Sequence, residues 1–249
     1  VFSQGVSAVL CYLYMIKHFP ILRSTSDERR YESRYVKTLM GIGAPMGLQF
    51  SITAIGSIML QSANNALGTS CVAAFTAAMR IKMFFMTPFE SLGMAMATYS
   101  GQNYGAGKPE RIATGIKSAS YMMLIYAAFT IAILIPCSHL FTLIFVDPSE
   151  TEIIKDSVLL LRIECCFFPI LGLLCILRYT IQGSGYTALS MFSGVAEMIA
   201  RILDSVLVVP LIGFLGVCFG DPLAWVFADL FLVPAYIYVY RRLIKMKRK

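Results

Sequence analysis

Long apolar runs, separated by short polar clusters, organise the chain. The runs cover residues 1–16, 36–64, 69–99, 112–145, 153–182, 187–212 and 215–240. Crossing a bilayer takes about 20 residues, so the first run predicts a partial membrane span and each of the others a full transmembrane helix. Apolar residues fill these runs and do not recur at a helical or strand period. That pattern speaks against an amphipathic soluble bundle. The polar clusters are a charged connector at 17–35, a glycine-rich basic turn from Tyr99 to Arg111, and a basic tail at 241–249.

Composition fits this picture. The chain has 249 residues, 57% hydrophobic and only 14% charged, too few charges for a soluble surface. The fold class expected is therefore all-α integral membrane. A net charge of +7 would suit a nucleic-acid partner in a soluble protein; here the positive-inside bias explains it, and no nucleic acid is expected. Seven cysteines sit mostly within apolar runs, without CxxC or His-rich spacing. They read as small hydrophobes, with no metal site or cofactor. The chain opens inside an apolar run, with no signal-peptide arrangement, and reads as a piece of a longer protein.

Lysine and arginine placement predicts orientation. Lys17, Arg23, Arg29, Arg30, Arg34 and Lys37 surround the connector; Lys108, Arg111 and Lys117 surround the glycine-rich turn; Arg241, Arg242, Lys245, Lys247, Arg248 and Lys249 form the tail. With six full spans these sites share one side, expected to be cytoplasmic. The opposite loops are assigned Lys155 and the acids Asp147, Glu150, Glu152, Asp156 and Asp221. The expected location is the cell membrane, multi-pass, C-terminus inside, with lipid as a partner. Prolines 45, 88, 136, 169 and 234 lie inside spans, and Pro210 near the end of one; each frees a carbonyl and bends its helix.

Ionisable residues inside spans carry the candidate chemistry, because burying them in hydrocarbon is costly. Glu197, Arg201 and Asp204 are spaced four and three residues apart and share a helix face. Two readings stand: a structural Glu197–Arg201 pair, or carboxylates that exchange a proton or Na+ during coupling. Asp204 is then the more available acid. Glu90, just after Pro88, is a second coupling candidate, expected to be buried. Arg80 and Lys82 face different directions, one snorkelling and one pairing inward. Arg178 is placed near a helix end, within reach of the interface. Arg162, Glu164 and Asp229 complete the set, Glu164 as a charge-pair candidate, and His139 reads as interfacial. Phe84, Phe85, Phe89, Tyr121, Tyr126, Phe129, Phe167 and Phe168 are candidate walls for a cavity that takes aromatic cations. Two motif matches fail. Gly101 to Pro109 lacks phosphate-loop spacing, with Pro109 where Ser or Thr is needed. Gly183 to Ala188 has no preceding strand for a dinucleotide site.

Several segments together resemble one family. Met96-Ala-Thr-Tyr-Ser-Gly-Gln-Asn-Tyr-Gly-Ala-Gly-Lys-Pro-Glu-Arg111, with Gly101, Gln102, Asn103, Gly105, Gly107 and Arg111, resembles the loop after the eighth helix of multidrug and toxic compound extrusion (MATE) transporters. Val72-Ala-Ala-Phe-Thr-Ala-Ala resembles that eighth helix itself. Arg178-Tyr-Thr-Ile-Gln-Gly-Ser-Gly-Tyr186 resembles the turn between helices ten and eleven, and Gly194-Val-Ala-Glu-Met-Ile-Ala-Arg201 the eleventh helix. The resemblance implies twelve helices in two lobes. This chain would be the C-terminal six-helix lobe (36–240), with the end of helix six (1–16), the inter-lobe connector (17–35) and a cytoplasmic tail (241–249). The N-terminal lobe would be its missing partner. Glu197 and Arg201 match a frequent pattern of the bacterial branch; Glu90 does not. The implied function is a non-enzymatic antiporter that exports amphipathic, cationic compounds in exchange for H+ or Na+. A lipid-linked sugar flippase of the same superfamily, or a non-transporting membrane module, are the alternatives.

Overall fold

A computed structural model describes residues 2–20 and 31–247. Arg23, Arg29, Arg30, Arg248 and Lys249, part of the charge reading above, lie outside the described residues. The elements are α1 (Phe2–His18), α2 (Ser33–Ala66), α3 (Thr69–Gly105), α4 (Pro109–Thr142), α5 (Thr151–Cys166), α6 (Phe168–Gly183), α7 (Thr187–Leu203), a π-helical turn (Asp204–Val208), α8 (Val209–Ile212) and α9 (Phe214–Lys247). No strand occurs among the described residues. Val1–Gly41 and Ile42–Lys249 form two compact units. α1, in the first, has no buried residue. The second is an all-α membrane bundle and contains every site discussed below.

Four helices, α2, α3, α4 and α9, are long and apolar enough to span a membrane, and the α5–α6 pair makes a fifth if taken as one. The sixth expected span is α7 with its π-helical and α8 continuation. It carries Glu197, Arg201 and Asp204, and α7 alone, at 17 residues, is shorter than the spanning helices. Two expected spans are not straight α-helices. The span at 153–182 breaks at Phe167 with a 52° bend. Pro169 stands at the start of α6, where its missing N–H costs nothing because a helix begins there. The span at 187–212 widens into the π-turn. Pro210, in the first turn of α8, has no N–H for the carbonyl of Val206, and the ladder reorganises just before it.

The polar turn from Tyr99 to Arg111 is mostly helix. Gly101, Gln102, Asn103 and Gly105 belong to the last turns of α3, and Arg111 to the first turn of α4. Only residues 106–108 link the two, with Gly107 at φ +67°, a conformation that L side chains avoid. The Asn103 side chain donates to the Tyr99 carbonyl at 2.8 Å, and Tyr99 Oη donates to the Arg111 carbonyl at 3.1 Å. The expected tail likewise continues α9 through Lys247.

With lipid outside, close packing and polar contacts hold the helices together. A Cβ on Gly183 would lie 2.1 Å from the Ala97 carbonyl oxygen, so α6 crosses α3 where only glycine fits. Phe89 is fully buried between Phe168 and Tyr126, with ring centroids at 5.4 and 5.0 Å. Tyr126 Oη donates to the Phe85 carbonyl at 3.1 Å, and Ser157 Oγ to the Ala74 carbonyl at 2.9 Å. Contact between Gly101 and Gly183, and the Arg242 guanidinium over the Tyr186 ring, bring the α3–α4 turn, the α6–α7 turn and the end of α9 to one end of the bundle.

Candidate functional site

Five helices contribute to one continuous chain of buried charges. Glu164 on α5 accepts from Lys82 Nζ on α3 at 2.8 Å. The same ammonium donates to Asp221 Oδ2 on α9 at 2.5 Å and lies 5.9 Å from the Trp225 ring. Asp221 Oδ1 accepts from Arg201 Nε on α7 at 2.9 Å. Arg201 Nη1 donates to Glu197 Oε2 at 3.3 Å, one helical turn back. Glu197 Oε1 pairs in turn with Arg178 on α6, whose Nε donates to Ser193 Oγ at 3.2 Å. Signs alternate from Glu164 to Arg178, and three acids balance three bases. Alternation is what allows such charges to remain in an apolar interior.

Two positions differ from the sequence reading. Asp221, assigned to an outer loop, is the centre of the network. α9 begins at Phe214, so Asp221 lies two turns inside the helix and bridges two cations. Arg178 does not reach for the interface; Glu197 draws it inward. Arg80 is exposed and Lys82 is 1% exposed, so the two point in different directions, as expected of residues two apart on a helix.

Beside this chain runs a cavity of about 220 Å³. Glu197, Arg201, Arg178 and Gln49 form its polar wall, Leu171, Leu174 and Trp225 its apolar wall, and exposed Phe50 and Glu90 stand at its open side. Gln49 is buried near the middle of α2, its Oε1 accepting from Gln182 Nε2 at 2.9 Å and from Ser190 Oγ at 3.0 Å. Glu90, expected to be buried, is exposed: its position on α3 faces the open side of the cavity, one residue round from fully buried Phe89. It forms no ion pair among the described residues. Most of the proposed aromatic wall lies elsewhere. Phe85, Phe89 and Phe168 are buried in the core, Phe84, Tyr121 and Phe129 are more than half exposed, and the cavity's aromatics are Phe50, Tyr179 and Trp225.

Asp204 has a different setting. It is 1% exposed, and neither carboxylate oxygen has a hydrogen-bond partner among the described residues. It opens the π-turn, and a Cβ on Gly220 would lie 3.2 Å from its Oδ2. The absent side chain at Gly220 makes room for it. Ser205 Oγ and both oxygens of Asp229 are also buried without hydrogen-bond partners among the described residues. Among the described residues no cluster of His, Cys, Asp and Glu is grouped to hold a metal ion.

The MatE family model matches residues 45–207, more than half of the chain and all of α3 to α7. The chain belongs to the MatE family. Two Bacillus subtilis proteins are similar to this MatE chain. The probable multidrug resistance protein YoeA is 23% identical over 97% of the chain and 53% of its own length. The probable multidrug resistance protein YpnP is 28% identical over 45% of the chain and 25% of its own length. A crystal structure of MATE in complex with MaL6 superposes with TM-score 0.83 at 18% identity, over 99% of this chain and 55% of that one. A MOP superfamily transporter from Pyrococcus furiosus, described for the reverse polarity of its binding pocket, gives 0.82 at 18%, over 99% and 55%. The MatE chain thus spans about half the length of the relatives it matches, and it has the fold of one half of a MATE transporter.

Proposed function

We propose that this chain is the C-terminal lobe of a secondary active antiporter that exports amphipathic, cationic compounds in exchange for H+ or Na+. The observation that carries the reading is the charge distribution at the cavity. Both cations in its wall, Arg178 and Arg201, are held by carboxylates, while Glu90 at its mouth has no ion-pair partner among the described residues. The surplus charge open to a ligand is therefore negative, beside apolar Phe50, Leu174 and Trp225. That combination suits an amphipathic cation. The names of YoeA and YpnP support the same direction.

Alternating access would rock this lobe against a second one, and ion binding would shift the balance between states. Asp204 and Glu197 are the coupling carboxylates of this reading. Glu197 is committed to two arginines, so Asp204 is the freer of the two. The basic ends of the bundle would face the cytoplasm. A lipid-linked sugar flippase would need cations free to meet a phosphate, and the neutralised Lys82, Arg178 and Arg201 weigh against it.

Dye efflux from drug-sensitive bacterial cells tests the proposal. It compares this chain alone, the same lobe in its full-length context, and that context with Glu90→Gln or Asp204→Asn, at matched membrane expression. Efflux by the full-length context, reduced by the two substitutions, is expected. No efflux from a well-expressed full-length protein would overturn the drug-export reading.

A further inference from the structure

Along its second half, α9 exposes a stripe that changes from apolar to basic. Leu230, Ile237 and Tyr238 are 69%, 45% and 55% exposed. Arg241, Arg242 and Lys245 follow at spacings of three and four, which keep them on the same face. Pro234, Ile237, Tyr238 and the three cations line a groove of about 390 Å³. No carboxylate among the described residues lines it, and α9 contains no acid after Asp229.

The cations differ in freedom. Arg242 is held in place: its guanidinium lies 5.7 Å from the Tyr186 ring centroid, and its Nη1 donates to Tyr238 Oη at 3.4 Å. Arg241 and Lys245 are exposed and make no ion pair among the described residues. From Leu230 to Arg241 the helix rises about 16 Å, roughly half the 30 Å thickness of a bilayer's hydrocarbon. The apolar stripe therefore matches one leaflet, and the basic cluster sits at headgroup level.

We infer that this groove binds one anionic phospholipid. Arg241 and Lys245 hold the phosphate, the tyrosine-anchored Arg242 presents a pre-positioned third donor, and an acyl chain lies along Leu230 and Ile237. Topological bias accounts for basic residues at this end of a membrane protein. It does not account for a groove free of acids, an arginine clamped by two tyrosines, or an apolar stripe of leaflet length leading into it. The inference is independent of what the protein transports.

Native mass spectrometry of the full chain, purified in mild detergent, tests it. The protein is incubated with phosphatidylglycerol or with phosphatidylcholine of identical acyl chains. Two surface cations on an anionic headgroup should favour the single phosphatidylglycerol adduct by about thirtyfold. The double variant R241Q/K245Q, which keeps Arg242, should cut that ratio several-fold. Arg80→Gln, which removes an exposed cation elsewhere, should leave it unchanged, and so should the exchange R241K/K245R, which also controls for folding. Soluble glycerol phosphate at the same concentration should not displace the lipid. Equal binding of the two lipids by the wild-type chain would overturn the site. So would a preference undiminished in R241Q/K245Q, one lost equally in Arg80→Gln, or displacement by glycerol phosphate.

Discussion

Asp221 and Asp204 are two buried aspartates of the same bundle with opposite surroundings. Asp221 accepts from Lys82 and Arg201 and links α3, α7 and α9. Asp204, within electrostatic range of it, has no hydrogen-bond partner on either oxygen among the described residues. The difference separates two uses of charge inside a membrane protein. A carboxylate that balances two cations locks helices together, since removing it strands positive charge in the interior. A carboxylate without a partner contributes nothing to packing and stays available to a proton or a cation. The proposed assignment of coupling to Asp204 follows from that contrast.

The largest expected effect comes from breaking the paired side. Asp221→Asn leaves Lys82 and Arg201 short of one negative charge, and removing one member of a buried ion pair typically costs about 3–5 kcal/mol. A drop of that order in resistance to unfolding by denaturing detergent, relative to wild type, is expected. A change smaller than about 1 kcal/mol would show the network to be surface-like. A lesser loss is expected for Lys82→Met, because Asp221 keeps Arg201 while Glu164 alone is stranded. Adding Glu164→Gln removes that stranded charge and should recover part of the loss. The double-mutant cycle in the same unfolding assay should give a coupling of about 1–3 kcal/mol; additive effects would mean that the two residues do not interact.

The hydrophobic runs made most of the fold legible. Each expected span corresponds to a helix or helix pair, because a membrane segment declares itself by length and apolarity alone. The exceptions were decided by single prolines: Pro169 was recognised as a bend, but not that it would divide the span at Phe167, and Pro210 gave no hint of a π-turn. At the site, Lys82, Arg178, Arg201, Glu164 and Glu197 were all legible as costly charges in apolar surroundings, though their partners were not. Lys82 meets Asp221 across 139 residues, a separation no local pattern encodes. Asp221 reads as part of the outer loop because it lies only six residues into the run at 215–240. Charge balance offered a signal: three buried cations against Glu164 and Glu197 require a third acid.

The smallest effect on stability sharpens the comparison most. Asp204→Asn keeps size and shape, removes no ion pair, and replaces a buried carboxylate that has no hydrogen-bond partner. Its stability should change by less than about 1 kcal/mol and in the favourable direction, because a group costly to bury in charged form is replaced by a neutral one. Glu90→Gln, at the exposed mouth, should also leave unfolding unchanged, within about 0.5 kcal/mol. If the two carboxylates act on ions and ligands, both variants should nevertheless impair efflux in the full-length context, and in different ways. Glu90→Gln should weaken export of cationic dyes more than of neutral ones, since it alters what the cavity attracts. Asp204→Asn should impair both alike, since it alters the driving ion. Equal discrimination among substrates by the two variants would remove the distinction between a ligand-facing and an ion-facing carboxylate. A strongly destabilised Asp204→Asn would place Asp204 with Asp221, among the charges that hold the bundle together.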